Sequence, residues 1–165
     1  MSPGRSPVMS TKSFDPNAPK VISFADESAL EPVASILMLE DSAEQTVSLK
    51  EFLEAHNYKV TTASNGVEGL KHIMGRDFDV ILCDMLMPTL PGDMFYLAVE
   101  RIKPHLCRRF IFISGYNGDP KIDGFIRKVK GLMLNKPLHI RYLLDSIKLI
   151  LKKTQAVPAL TMVST

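Results

Sequence analysis

Five positions in this sequence carry groups that could act together: the carboxylates of Glu40, Asp41 and Asp84, the hydroxyl of Ser114 and the ammonium of Lys136. Carboxylates gathered in one place repel and raise one another's pKa unless a cation sits among them. Hard oxygen ligands in that number suit Mg²⁺, which keeps part of its water and favours one or two carboxylates plus a phosphate oxygen. An ammonium attracts an incoming anion, and a hydroxyl adds a hydrogen bond. An aspartate in such a site can be a nucleophile and form an acyl phosphate. The chemistry on offer is phosphoryl acceptance on a carboxylate beside Mg²⁺, provided the fold brings these groups together.

Each of the groups follows an apolar run. Val80-Ile81-Leu82-Cys83 runs straight into Asp84, and Pro88 stops the segment, the pattern of a strand buried on both faces of a parallel sheet. Ile36-Leu37-Met38-Leu39 ends at Glu40-Asp41, Phe110-Ile111-Phe112-Ile113 at Ser114-Gly115, and Leu132-Met133-Leu134 at Asn135-Lys136-Pro137. Tyr58-Lys59-Val60-Thr61-Thr62 alternates and is rich in β-formers, so it is a further strand.

Helical patterns separate the strands. Ser42 with Gln45 has capping-box spacing ahead of Leu49, Phe52 and Leu53, with Asn57 as the C-cap. Ser64 caps a helix that puts Val67, Leu70, Ile73 and Met74 on one face and closes at Gly75. Asp93 opens a third helix, with Phe95, Leu97, Val99 and Ile102, which Pro104 ends. Asp119-Pro120 is an N-cap and first-turn pair for a helix that Gly131 ends. Ile140 to Leu151 carries the last apolar stripe. Strict alternation of strands and helices implies an α/β fold, a doubly wound five-stranded parallel sheet with helices on both faces. In the order 2-1-3-4-5 the first and third strands are central neighbours, and ligands sit at their carboxyl ends. The five groups then share one corner.

The chain has 165 residues, 45% hydrophobic and 23% charged, which suits one soluble domain plus tails. We expect a flexible N-terminal arm at 1–33, in which Val21-Ile22-Ser23-Phe24 is the apolar patch, a single domain at 34–153 and a tail at 154–165. A net charge of +2 gives no support to a nucleic-acid or membrane-surface role. No apolar run approaches the roughly 20 residues of a membrane span, and no secretory signal opens the chain. Cys83 and Cys107 make neither a disulfide framework nor a metal spacing, and Cys83 reads as a core residue. A cytoplasmic location fits. His56, His72, His105 and His139 are scattered and read as surface or helix-end residues.

Taken singly, Glu40-Asp41 could be a charge pair at a helix N-terminus, Ser114-Gly115 a turn and Lys136-Pro137 a strand stop. Together, each at a strand's carboxyl end, they are not an accident. Residues from about 35 to 152 resemble a response-regulator receiver domain of two-component signalling, flavodoxin-like in topology. The matching pieces are Leu39-Glu40-Asp41-Ser42, Ala63-Ser64-Asn65-Gly66, Asp84-Met85-Leu86-Met87-Pro88 with Gly92, Phe112-Ile113-Ser114-Gly115 and Lys136-Pro137. The resemblance implies that Asp84 accepts a phosphoryl group from a histidine kinase or histidine phosphotransfer protein. It implies Mg²⁺ on Asp41, Asp84 and the Leu86 carbonyl, with Glu40 through water, and Ser114 and Lys136 engaging the phosphoryl oxygens. The Lys136-Pro137 bond is usually cis in this family.

Two positions depart from the family pattern. Met133 stands where an aromatic switch residue often precedes the lysine by three places, and Pro91 stands where an acidic residue commonly precedes the loop glycine. Leu86 and Tyr116, two places after the aspartate and the hydroxyl, offer poor alignment to an attacking water, so self-dephosphorylation should be slow.

Lys121, Arg127, Lys128 and Lys130 make the fourth helix basic, which reads first as a solvated face. Receivers commonly signal through helix 4, strand 5 and helix 5, so an output protein there is the sharper reading. The expected molecule is a stand-alone, non-enzymatic switch, monomeric or weakly dimeric. The alternatives are a receiver from a hybrid histidine kinase and a flavodoxin-like cofactor binder. The acidic Glu40-Asp41 after the first strand would repel a cofactor's phosphate. A dehalogenase-like phosphatase would want Asp-x-Asp on that strand, which is absent.

Overall fold

The structure, a computed structural model, describes residues 32–155. Residues 1–31 of the expected arm, with its Val21-Ile22-Ser23-Phe24 patch, and 156–165 of the expected tail lie outside the described residues. The elements are β1 Ala34–Leu39, α1 Ala43–Ala55, β2 Tyr58–Ala63, α2 Gly66–Gly75, β3 Val80–Asp84, α3 Gly92–Ile102, β4 Phe110–Ser114, α4 Pro120–Val129, β5 Leu132–Asn135 and α5 Ile140–Gln155. The strands form one parallel sheet in the order β2-β1-β3-β4-β5, as the alternation predicts.

Strand side chains point alternately to opposite faces, and the core divides along that alternation. Leu37, Leu39, Ile81, Cys83, Phe110 and Phe112 join the cluster that also takes Ile73, Phe95 and Ile122 from α2, α3 and α4. Ile36, Met38, Val80, Leu82, Ile111 and Ile113 face the other way, against Leu53 of α1 and Leu143 and Ile147 of α5. Every residue of β3 and β4 is buried, which is why both read as unbroken apolar runs rather than as alternating ones. Burial pushes the Cys83 thiol up from its ordinary value, as for an inert core residue.

Local details differ from the sequence reading where neighbouring caps compete. Asn65, not Ser64, caps α2 by accepting the Glu68 N–H, while Glu68 reaches back to accept from the Ser64 N–H and hydroxyl. Asp93 lies inside the first turn of α3, and Pro91 precedes Gly92 without a side-chain cap. Past Ile102 the chain does not simply stop at Pro104; it makes a 3₁₀ turn over Pro104–Arg109. His56 is the C-cap of α1, with Asn57 left-handed after it. At the end of α4 the left-handed residue is Lys130, with Gly131 following. Val67, Met74, Leu97 and Ile102 are exposed, since a helix on a sheet buries a narrower stripe than the apolar count suggested. The α5 helix runs on to Gln155, two residues past the expected end of the domain at 153, with the Thr154 hydroxyl bonded to the Ile150 carbonyl. Among the described residues no helix is long and apolar enough to cross a membrane.

Candidate functional site

Register places the site. Leu39 pairs with Cys83 and Asp84 with Ile113, so the residues just past β1 lie beside the end of β3. Glu40 and Asp84 continue the strand face that looks toward α1 and α5, and Lys136 continues the same face of β5 after Leu132 and Leu134. The three therefore meet: the Lys136 Nζ donates to Asp84 Oδ2 at 2.6 Å and to Glu40 Oε2 at 2.9 Å. The Lys136-Pro137 peptide is cis. Ser114 continues the opposite face of β4, with Phe110 and Phe112. Its hydroxyl is fully buried and bonds to the backbone of Tyr116 rather than joining the trio.

Ligand oxygens of Glu40, Asp41 and Asp84 all lie within 4.8 Å of one another. Glu40 and Asp84 are buried, at 8% and 4% exposure, while Asp41 opens to solvent. The remaining carboxylate oxygens are held by backbone: the Ser42 N–H donates to Glu40 Oε1 at 3.0 Å and the Leu86 N–H to Asp84 Oδ1 at 2.8 Å. Sequence reading missed these two donors; a carboxylate that accepts from the amide two residues on is the turn habit of Asp, which could have announced the second. Gly92, named in the sequence only as part of a motif, contributes a contact as well. Its N–H bonds to the Met85 carbonyl, and a Cβ there would lie 2.6 Å from the Asp84 carbonyl oxygen, so only glycine lets the loop fold back over the end of β3.

The electrostatics follow from burial. Loss of water raises the Glu40 pKa, and the Asp84 charge adds to it; the bonds from Lys136 and Ser42 oppose but do not cancel the rise. Burial alone would depress Lys136, yet its bonds to Asp84 and Glu40 leave its pKa above the ordinary lysine value. With every group ionised, three carboxylates against one ammonium leave a formal charge of −2. An all-oxygen donor set with that surplus, closed on the Glu40 side and open at Asp41, fits a hydrated divalent cation of the Mg²⁺ type. The expected residues Glu40, Asp41, Asp84 and Lys136 are thus brought together, and Ser114 stands one strand over, turned away. Leu86 and Tyr116 flank the site as exposed side chains, at 46% and 64%.

Comparison with known proteins agrees with this geometry. The family model described as the response regulator receiver domain matches residues 36–148. The response regulator receiver protein CpdR of Brucella abortus is 30% identical over 119 residues, covering 70% of this chain and 95% of that protein. The sensor kinase CckA of the same organism is 28% identical over 122 residues; the match takes in 73% of this chain but only 13% of the kinase. Among solved structures, a CheY-like receiver domain protein from Methanospirillum hungatei superposes with a TM-score of 0.68 at 26% identity, covering 73% of this chain and 95% of that one. The sheet order, the acidic corner with its lysine and the match over 36–148 place this chain in the response regulator receiver domain family of two-component signalling.

Proposed function

We propose that this protein is a phosphoryl-accepting switch in which Asp84 takes the phosphoryl group of a phosphohistidine. The observation that carries the reading is the meeting of Asp84 with Lys136, at 2.6 Å, inside the Glu40–Asp41–Asp84 cluster. Asp41 and Asp84 would hold Mg²⁺ directly with the Leu86 carbonyl, and Glu40 would hold it through water. When bound, the ion supplies positive charge for the phosphoryl oxygens and the carboxylate cluster.

An Asp84 carboxylate oxygen attacks phosphorus. The new O–P bond forms as the N–P bond breaks, and the electron pair returns to the leaving imidazole nitrogen, which solvent reprotonates. Lys136 then exchanges its bond to Asp84 for one to a phosphoryl oxygen, so its charge stays paired throughout. Ser114 donates to another phosphoryl oxygen once its hydroxyl leaves the Tyr116 backbone, and that departure is the conformational change.

The donor is a histidine kinase or histidine phosphotransfer protein. A groove of about 760 Å³ supports its approach, running from Lys136 and Glu40 past Leu49, Phe52, Leu138 and Ile140. It offers apolar contact beside the site. Output goes through protein contacts at α4, β5 and α5, where Lys121, Arg127 and Lys128 stand exposed. The protein catalyses no turnover on a separate substrate and acts in the cytoplasm as a stand-alone receiver, monomeric or weakly dimeric. A receiver carried by a longer hybrid kinase is the second reading, favoured by the match to CckA.

Incubation with a phosphorylated histidine phosphotransfer domain and Mg²⁺ tests the reading. Label should pass to this chain and stop passing when Mg²⁺ is chelated. Label that never leaves the donor under any condition would defeat it.

A further inference from the structure

At the far end of the sheet from Asp84, where β4 and β5 begin, a cavity of about 560 Å³ opens between the 3₁₀ turn, the end of α4 and the last turns of α5. That volume lies in the range of small-ligand pockets, roughly 300–1,000 Å³. Its accessible wall is apolar, made by Val129, Leu132 and Leu149. Among the described residues its charged ones are all cations, Arg108, Lys130 and Lys153, and no Asp or Glu lines it. Among the described residues none of the three cations is in an ion pair.

Each cation stands at the C-terminal end of a helical segment, where positive charge offsets the helix dipole. That accounts for part of the charge only. A helix end carries about half a negative charge, so three ends offset at most about one and a half of the three positive charges. Glu100 of α3 acts electrostatically on Tyr96 and Cys107, which line the cavity, but does not line it itself, so one carboxylate nearby still leaves the lining with a positive surplus.

Lys130 adds an independent observation. It adopts φ 52° and ψ 40°, the left-handed conformation that helix ends usually give to glycine. A glycine is adjacent in sequence, but Gly131 serves another need, since a Cβ there would meet the Phe112 ring at 2.7 Å. The chain thus keeps a cation at the rim at a backbone position where glycine would be less strained.

We propose that this cavity binds a small organic anion, an apolar body carrying a phosphate or carboxylate group. The body lies against Val129, Leu132 and Leu149, and the anionic group is met by Arg108, Lys130 and Lys153.

The full chain, labelled with ¹⁵N, would be titrated separately with 1-naphthyl phosphate and with decanoate. Inorganic phosphate and decanol serve as half-ligands. At least one of the two anions should shift the amides of Val129, Gly131, Leu149 and Thr154 together and saturate. Each half-ligand should bind at least tenfold more weakly, and which anion wins distinguishes phosphate from carboxylate. Lys130→Gly, which relieves the left-handed strain and so keeps the fold, should weaken binding roughly tenfold, the worth of one charge-assisted hydrogen bond. Three results would each overturn the proposal: no localised saturable shift from either anion, binding of inorganic phosphate as tight as that of naphthyl phosphate, or a folded Lys130→Gly variant that binds undiminished.

Discussion

Replacing Lys136 by methionine keeps the length of the stem and removes the ammonium, its charge and its donors together, so it isolates what that group does for the acidic corner. In the structure that ammonium bonds Asp84 at 2.6 Å and Glu40 at 2.9 Å, and both carboxylates are almost fully buried. Breaking a buried pair costs about 3–5 kcal/mol when the stranded charge must remain. Here it need not remain. Protonating a carboxyl of ordinary pKa 4.5 at pH 7 costs about 3.4 kcal/mol, and Glu40 starts above 4.5, so its uptake of a proton caps its own share of the loss below that figure. We expect a loss of about 2 kcal/mol at pH 7 in chelator, by urea unfolding.

The pH dependence has a defined sign. Lys136 is raised above its unfolded value, so its own titration removes its contribution only as pH rises through the folded value. Glu40 is raised too, so its ionisation costs stability at neutral pH, and that cost disappears as pH falls below 4.5. The cap on Glu40's share of the loss therefore falls by about 1.4 kcal/mol per pH unit, and the gap between variant and wild type should be smaller at pH 5 than at pH 7. Millimolar Mg²⁺ should narrow it also, because a cation that binds only the folded state stabilises that state. A loss that is equal at both pH values and indifferent to Mg²⁺ would refute the reasoning.

Asp41→Ala should remove the Mg²⁺-dependent rise in melting temperature; an unchanged rise would count against Asp41 as a ligand. Leu86→Asn combined with Tyr116→Glu should speed loss of the acyl phosphate, at about tenfold for each 1.4 kcal/mol regained in aligning water. A wild-type phosphoryl group that already decays fast, at a rate the substitutions leave alone, removes the shielding argument. Met133 pairs with Phe112 and packs beside a cluster in which the Phe112 and Phe125 rings lie 5.6 Å apart. Because methionine repacks without a fixed rotamer, beryllofluoride should give diffuse rather than sharply localised amide shifts around β5 and α4.

The fold was legible because each strand of the sheet's middle is buried on both faces and each helix is punctuated by a cap, a proline or a glycine. Asp84 could be read as a site residue because a carboxylate directly after four buried apolar residues has no packing reason to be there. The trio of Glu40, Asp84 and Lys136 needed only strand order and the two-residue alternation, both available from sequence. Ser114 shows where that reading ends. Its place at a strand end and its face of β4 are plain, but the contact of its hydroxyl with the Tyr116 backbone is made in the turn that follows, which the strand pattern does not reach. Gly92 was legible as part of a motif and not as a contact, since the approach of its backbone to Asp84 exists only in three dimensions. The cap of α2 went to Asn65 rather than its near-equal neighbour Ser64, a choice fixed by Glu68, while the left-handed end of α4 fell to Lys130 although glycine suits it better, because Gly131 is needed beside the Phe112 ring.

The central claim is that Asp84 carries the phosphoryl group. Acetyl phosphate with Mg²⁺, followed by intact-mass measurement, tests it without any partner protein. The account predicts one added phosphoryl group on the wild type, none after chelation and none on Asp84→Asn. Full labelling of the Asn variant would contradict it.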